Sequence, residues 1–162
     1  MRSINYFLVF GIAWILSSCN FSAGTNKDLK TGLSYSYNGF GLDNVYFVGP
    51  EDKLQTDNKV DLNSKVAIIV EGLRNYTLKD DKASPGLMLS VTDKDGKFII
   101  NEADLFAGGE GYTPEQASVM RGTVTVANPM KSGEKYMISM KIWDKNKPES
   151  EFTANVEIEV KH

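Results

Sequence analysis

From residue 42 onward the chain is built of short apolar runs that alternate with polar residues and stop at turn formers. Residues 135–143 put Tyr136, Ile138, Met140 and Ile142 on one face, with Met137, Ser139, Lys141 and Trp143 on the other. Residues 152–160 put Phe152, Ala154, Val156, Ile158 and Val160 on one face, with Thr153, Asn155, Glu157 and Glu159 on the other. A period of two predicts half-buried strands. A slip of one residue would bury Glu157 and Glu159, so the register of the last strand is strongly specified. Residues 119–127 alternate in the same way, Val124 and Val126 against Thr123 and Thr125. Residues 65–73 (KVAIIVEGL) are instead an almost continuous apolar run, which predicts a central strand buried on both faces or nearly so.

The remaining segments fill in the same plan. Residues 87–91 and 97–100 flank Asp93-Lys94-Asp95-Gly96, a hairpin in which Gly96 supplies the positive φ of a tight turn. Residues 42–48 (LDNVYFV) read as a strand ending at Gly49-Pro50, and residues 35–41 as either a first edge strand or a loop laying aromatic rings on the domain. Residues 51–63, 74–84 and 144–151 read as polar connections, and 102–112 as a glycine-rich stretch around one short strand or helical turn. Thr113-Pro114-Glu115-Gln116 has the form of a helix N-terminus, with a capping Thr, a Pro at the first helical position and a Gln three residues after the cap. Strand-like residues resume at once, so one turn is the most that fits.

Seven or eight short strands with no long helical period predict an all-β, single β-sandwich over residues 33–162. Tyr136 opens a late strand just after Ser132-Gly133-Glu134-Lys135. That placement resembles the tyrosine corner of immunoglobulin-like and fibronectin-type sandwiches; the resemblance implies an immunoglobulin-like sandwich and a hydroxyl bonded back to the preceding corner, and the alternative is one more core aromatic.

The beginning of the chain has a different character. Arg2 is followed by an apolar run over residues 4–16, then Ser17, Ser18 and Cys19, the one cysteine. The run suits a signal-peptide core and falls short of the roughly 20 residues of a membrane-spanning helix. Leu16-Ser17-Ser18-Cys19 resembles the lipobox of bacterial lipoproteins. The resemblance implies cleavage after residue 18, lipid on Cys19 and, with Asn20 next, an outer-membrane destination. Residues 19–32, poor in apolar side chains, then read as a lipidated end and flexible tether.

Removal of residues 1–18 from the 162 leaves 144, and takes one of the 18 basic residues, so 17 stand against 21 acids for a net −4. With both signs interspersed there is no basic stripe, which argues against nucleic acid. One cysteine forms no internal disulfide, so the fold rests on its core.

Catalytic constellations are scarce. His162, the one histidine, ends the sequence, and no Ser–His or Cys–His pair can be assembled around it in a packed site. Asp93 and Asp95 open like a calcium loop but lack the later ligands, and a hairpin explains them; Asp144, Asn146 and Glu149 make a similar acidic loop. No catalytic group, metal site or cofactor is therefore expected. The candidates for binding are aromatic: Trp143 beside the 144–151 connection and Tyr112 in the glycine-rich stretch could stack on a sugar or hold a peptide, or they plug the ends of the sandwich. The expectation is a non-catalytic binding or structural module, lipid-anchored in the cell envelope, docking on an envelope protein complex. The alternative is a glycan- or peptide-binding lipoprotein using those aromatics.

Overall fold

A computed structural model describes residues 22–162; the expected signal peptide, the lipobox and Cys19 lie outside the described residues. Ten strands follow in order: β1 (Ala23–Lys27), β2 (Ser34–Asn38), β3 (Asn44–Val48), β4 (Lys59–Val60), β5 (Lys65–Glu71), β6 (Pro85–Asp93), β7 (Phe98–Glu102), β8 (Met120–Thr125), β9 (Lys135–Asp144) and β10 (Lys147–Val160). They form two sheets. The larger runs β1-β2-β10-β9-β6-β7, antiparallel throughout, with the short β4 parallel to the end of β10. The smaller is β3-β5-β8. The protein is the expected β-sandwich, with one core shared by side chains of both sheets.

The alternating strands fall as their patterns require. Tyr136, Ile138, Met140 and Ile142 of β9, and Phe152, Ala154, Val156, Ile158 and Val160 of β10, are all buried. Val66, Ile68 and Val70 of β5 join the core, and Ala67 is also buried, beside Val48 where the chain turns back. Two-sided cover is why this run lacks polar alternation. Gly96 takes φ +80° in the β6–β7 turn. Residues 116–118 form a single 3-10 turn, closed by the reciprocal pair Thr113 N–H to Gln116 Oε1 (3.0 Å) and Gln116 N–H to Thr113 Oγ1 (3.2 Å). The Tyr136 hydroxyl accepts the Lys131 N–H at 2.9 Å, the corner bond that resemblance implied.

Three expectations are corrected. The stretch expected to be a flexible tether contains β1, paired residue for residue with β2. Its turn is closed by Asp28, whose carboxylate accepts the Lys30 N–H and the hydroxyl of buried Thr31. Ladder hydrogen bonds order this polar strand although it has few apolar side chains to bury. β1 and β4 also raise the strand count from seven or eight to ten.

The third correction concerns residues 144–151. They are no open acidic loop: β9 runs to Asp144 and β10 begins at Lys147. Asp144 is fully buried, its Oδ2 accepting the Thr77 N–H (2.6 Å) and its Oδ1 the Asn146 N–H (2.9 Å), while Asn146 Nδ2 donates to the Thr77 carbonyl (2.8 Å). This knot ties the 74–84 loop to the β9–β10 hairpin. Hydrogen bonds to a charged acceptor are worth about 1.5–3 kcal/mol. Asp144→Ala should therefore lower unfolding free energy by about 2–3 kcal/mol in urea titration and speed amide exchange at Thr77 and Asn146. Unchanged stability together with unchanged exchange would contradict the role given to this carboxylate.

Candidate binding face

The outer surface of the large sheet carries a grid of side chains, most of them neutral and polar. Pairing between strands aligns Thr25, Ser36, Thr153, Lys141 and Met88 in one row across β1, β2, β10, β9 and β6. The next row is Lys27, Ser34, Asn155, Ser139, Ser90 and, on β7, Asn101. On β9 and β10 these residues alternate with buried ones, so they and the row partners paired with them point away from the core, although Ser90 is itself covered.

Several are already oriented by one another. Ser36 Oγ and Thr153 Oγ1 lie 2.9 Å apart, and Ser139 Oγ donates to Asn155 Oδ1 at 2.7 Å. Ser34 Oγ donates to the Asn155 carbonyl at 3.4 Å. The charges beside them are paired, Lys141 with Glu151 at 2.6 Å and Lys135 with Glu157 at 2.8 Å. Two hollows share Ser34 and Asn155. One, of about 130 Å³, is edged by Thr25, Ser36 and Thr153; the other, of about 320 Å³, by Lys27, Asn58 and Met137.

Trp143 stands on this face one row above Lys141, between Glu151 of β10 and Gly86 of β6. Its ring covers Gly86 so closely that a Cβ there would overlap the indole. The glycine thus lets the indole lie against the sheet, half-buried. Strand spacing of about 4.8 Å and a rise of about 3.3 Å per residue put Trp143 roughly 12 Å from Ser36. A ligand touching both must be elongated.

Tyr112, the other aromatic candidate, is elsewhere. Its backbone pairs with Ala83, and its ring meets Phe106 edge-on at 5.3 Å, packed against the core. It lies at the end of the sandwich, while Tyr35 and Tyr37 pack against the core from β2. The alternation in β10 marked Thr153 and Asn155 as outward residues. That Ser34 and Ser36 lie beside them could be known only from the pairing of β2 with β10, more than 100 residues apart in sequence.

A third concavity, of about 430 Å³, lies at the sandwich end between the 72–78 loop and the 113–118 turn, lined by Leu73, Arg74, Tyr76, Leu78, Pro114 and Glu115 among others. Its charged and aromatic groups are engaged. Arg74 Nη1 donates to Asp43 Oδ1 (2.6 Å) and the Gly72 carbonyl (2.9 Å). The Tyr76 ring meets Phe40 at 4.9 Å and its hydroxyl donates to the Ala117 carbonyl at 3.3 Å. Burial, with the Asp144 carboxylate adding to it, holds the Tyr76 phenol well above its ordinary range, so it stays a donor.

The acidic candidates are committed to backbone. Asp93 Oδ1 accepts the N–H groups of Asp95 and Lys97, which closes the hairpin turn. Burial pushes the Asp104 carboxyl up, but Lys145 Nζ at 2.7 Å and the N–H groups of Phe106 and Leu87 outweigh it and leave it below the usual range. Among the described residues, no three His, Cys, Asp or Glu side chains are grouped to hold a metal ion.

Neither a protein-family model nor a curated protein matches the sequence significantly. Among solved structures, the crystal structure of the C-terminal domain of wzt resembles it with a TM-score of 0.51 and 12% identity, over 89% of this chain and 80% of that one. At that identity the likeness is one of fold, and the fold shared is a β-sandwich.

Proposed function

We propose that this chain is a non-catalytic binding module, lipid-anchored through Cys19 at the bacterial outer membrane, and that it binds an elongated, hydroxyl-rich ligand, a glycan, on the outer face of its large sheet. The observation carrying this reading is the grid of Ser, Thr and Asn side chains beside the Trp143 indole. Neutral hydroxyls and amides complement a ligand made of hydroxyls, and an indole face takes the apolar face of a sugar ring. An anionic partner would instead call for a cluster of unpaired cations, whereas Lys141 and Lys135 are each paired with a glutamate, leaving Lys27 at the rim of a mainly neutral surface.

The grid supports the ligand-binding reading over docking on a protein complex, with Trp143 rather than Tyr112 as its aromatic. The test is calorimetry with oligosaccharides released from the producing cell's own envelope. Trp143→Ala should weaken binding by about tenfold or more, the equivalent of 1.4 kcal/mol, with the fold intact. Tyr112→Ala should leave the affinity unchanged. No binding by the wild type, or co-purification of an envelope protein complex insensitive to Trp143→Ala, would replace this reading by the docking role.

A further inference from the structure

We infer that the loop end of the sandwich, the end carrying Leu78, Leu105 and the β9–β10 hairpin, lies against the lipid surface; this rests on the proposed acylation of Cys19. The first described residue, Ser22, is held by its carbonyl, which accepts the Gly39 N–H at 2.8 Å. Only three residue steps separate Cys19 from Ser22, and an extended residue spans at most about 3.3–3.6 Å, so the lipid is within about 11 Å of the folded domain. Strand pairing says which end that is. Ala23 pairs with Asn38, Asn38 with Glu151, Glu151 with Trp143 and Trp143 with Gly86. All stand beside the 72–84 and 103–118 loops, because Asp144 holds Thr77 and the Leu105 N–H bonds the Leu87 carbonyl.

The opposite end, with Leu62, Lys94 and the end of β10, lies a full strand away. β10 has 14 residues, which at about 3.3 Å each span roughly 40 Å. Leu78 and Leu105 are 45% and 49% exposed and face the membrane from the near end. Carboxylates outnumber cations in the loops around them, including Asp80, Asp81, Glu110 and Glu115. The surface therefore has no electrostatic hold on anionic lipid, and the anchor alone keeps it there. Held this way, the polar face of the large sheet starts at the bilayer and extends away from it.

The experiment uses the full-length protein, exported and purified from membranes and placed in phosphatidylcholine vesicles. Its one native cysteine is the acylated residue, so introduced cysteines accept a fluorophore selectively. Labels at Leu78→Cys and Leu105→Cys should be quenched at least about twofold more by headgroup spin-labelled lipid than labels at Lys94→Cys and Leu62→Cys. Equal or reversed quenching in protein whose intact mass includes the acyl chains overturns the orientation and leaves the anchor standing. Absence of acyl mass overturns the anchor and the orientation together.

Discussion

Cys19→Ser is expected to move the protein from the membrane fraction to the soluble fraction and to abolish the acyl mass found on the wild type. The effect should be nearly complete. One acyl chain of myristoyl length binds bilayers only marginally, with a constant of about 10⁴ M⁻¹, whereas several chains at one residue hold firmly. No helix among the described residues is long and apolar enough to cross a membrane, and the loop end nearest Ser22 carries more carboxylates than cations. Folding should be untouched, because among the described residues the buried core begins at Leu33. Fractionation with intact-mass measurement reads the result. A wild type that is soluble and unmodified would refute the lipoprotein reading, and the domain would then act free in solution.

Phe152→Ala is expected to be the most damaging single change within the domain. Phe152 is fully buried on β10, between Tyr37 of β2 and Ile142 of β9, with the Tyr35 ring 5.9 Å away. Truncating a buried Phe costs about 3–5 kcal/mol, the lost transfer energy plus the cavity left behind. β10 sits centrally in the large sheet, with β2 and β9 hydrogen-bonded along its two sides, so its neighbours have little freedom to close the gap. Against a total stability of about 5–15 kcal/mol that is a large fraction, and a midpoint fall of roughly 10 °C or more should follow in thermal unfolding. Phe98→Ala is the contrast: that ring is 56% exposed on edge strand β7 and should change stability by less than about 1 kcal/mol. Equal effects at the two positions would contradict the placement of the core.

Much of this architecture was legible from local pattern. The faces of β9 and β10, the two-sided burial of β5, the Gly96 hairpin, the single turn at 116–118 and the Tyr136 corner follow from residues close together in the chain. Each reflects a period, a cap or a turn, properties that a short stretch carries by itself. What escaped such reading had another origin. β1 is polar and is ordered by its pairing with β2, so no hydrophobic signal announced it. Asp144 looked like surface charge; its burial depends on the N–H of Thr77, supplied by a loop 67 residues away.

The sequence by itself determined that the chain makes a β-sandwich without disulfides, and which side of its clearest strands turns inward. Burial of alternate apolar residues is a local requirement, so local sequence suffices for it. Only the tertiary structure decided that Ser34, Ser36, Ser139, Thr153 and Asn155 share one surface with Trp143 while Tyr112 does not. Only it, too, placed Ser22 at the loop end. Both depend on strand order, which is set by how β1, β2, β10 and β9 assemble across more than 100 residues, and no short stretch of sequence encodes it.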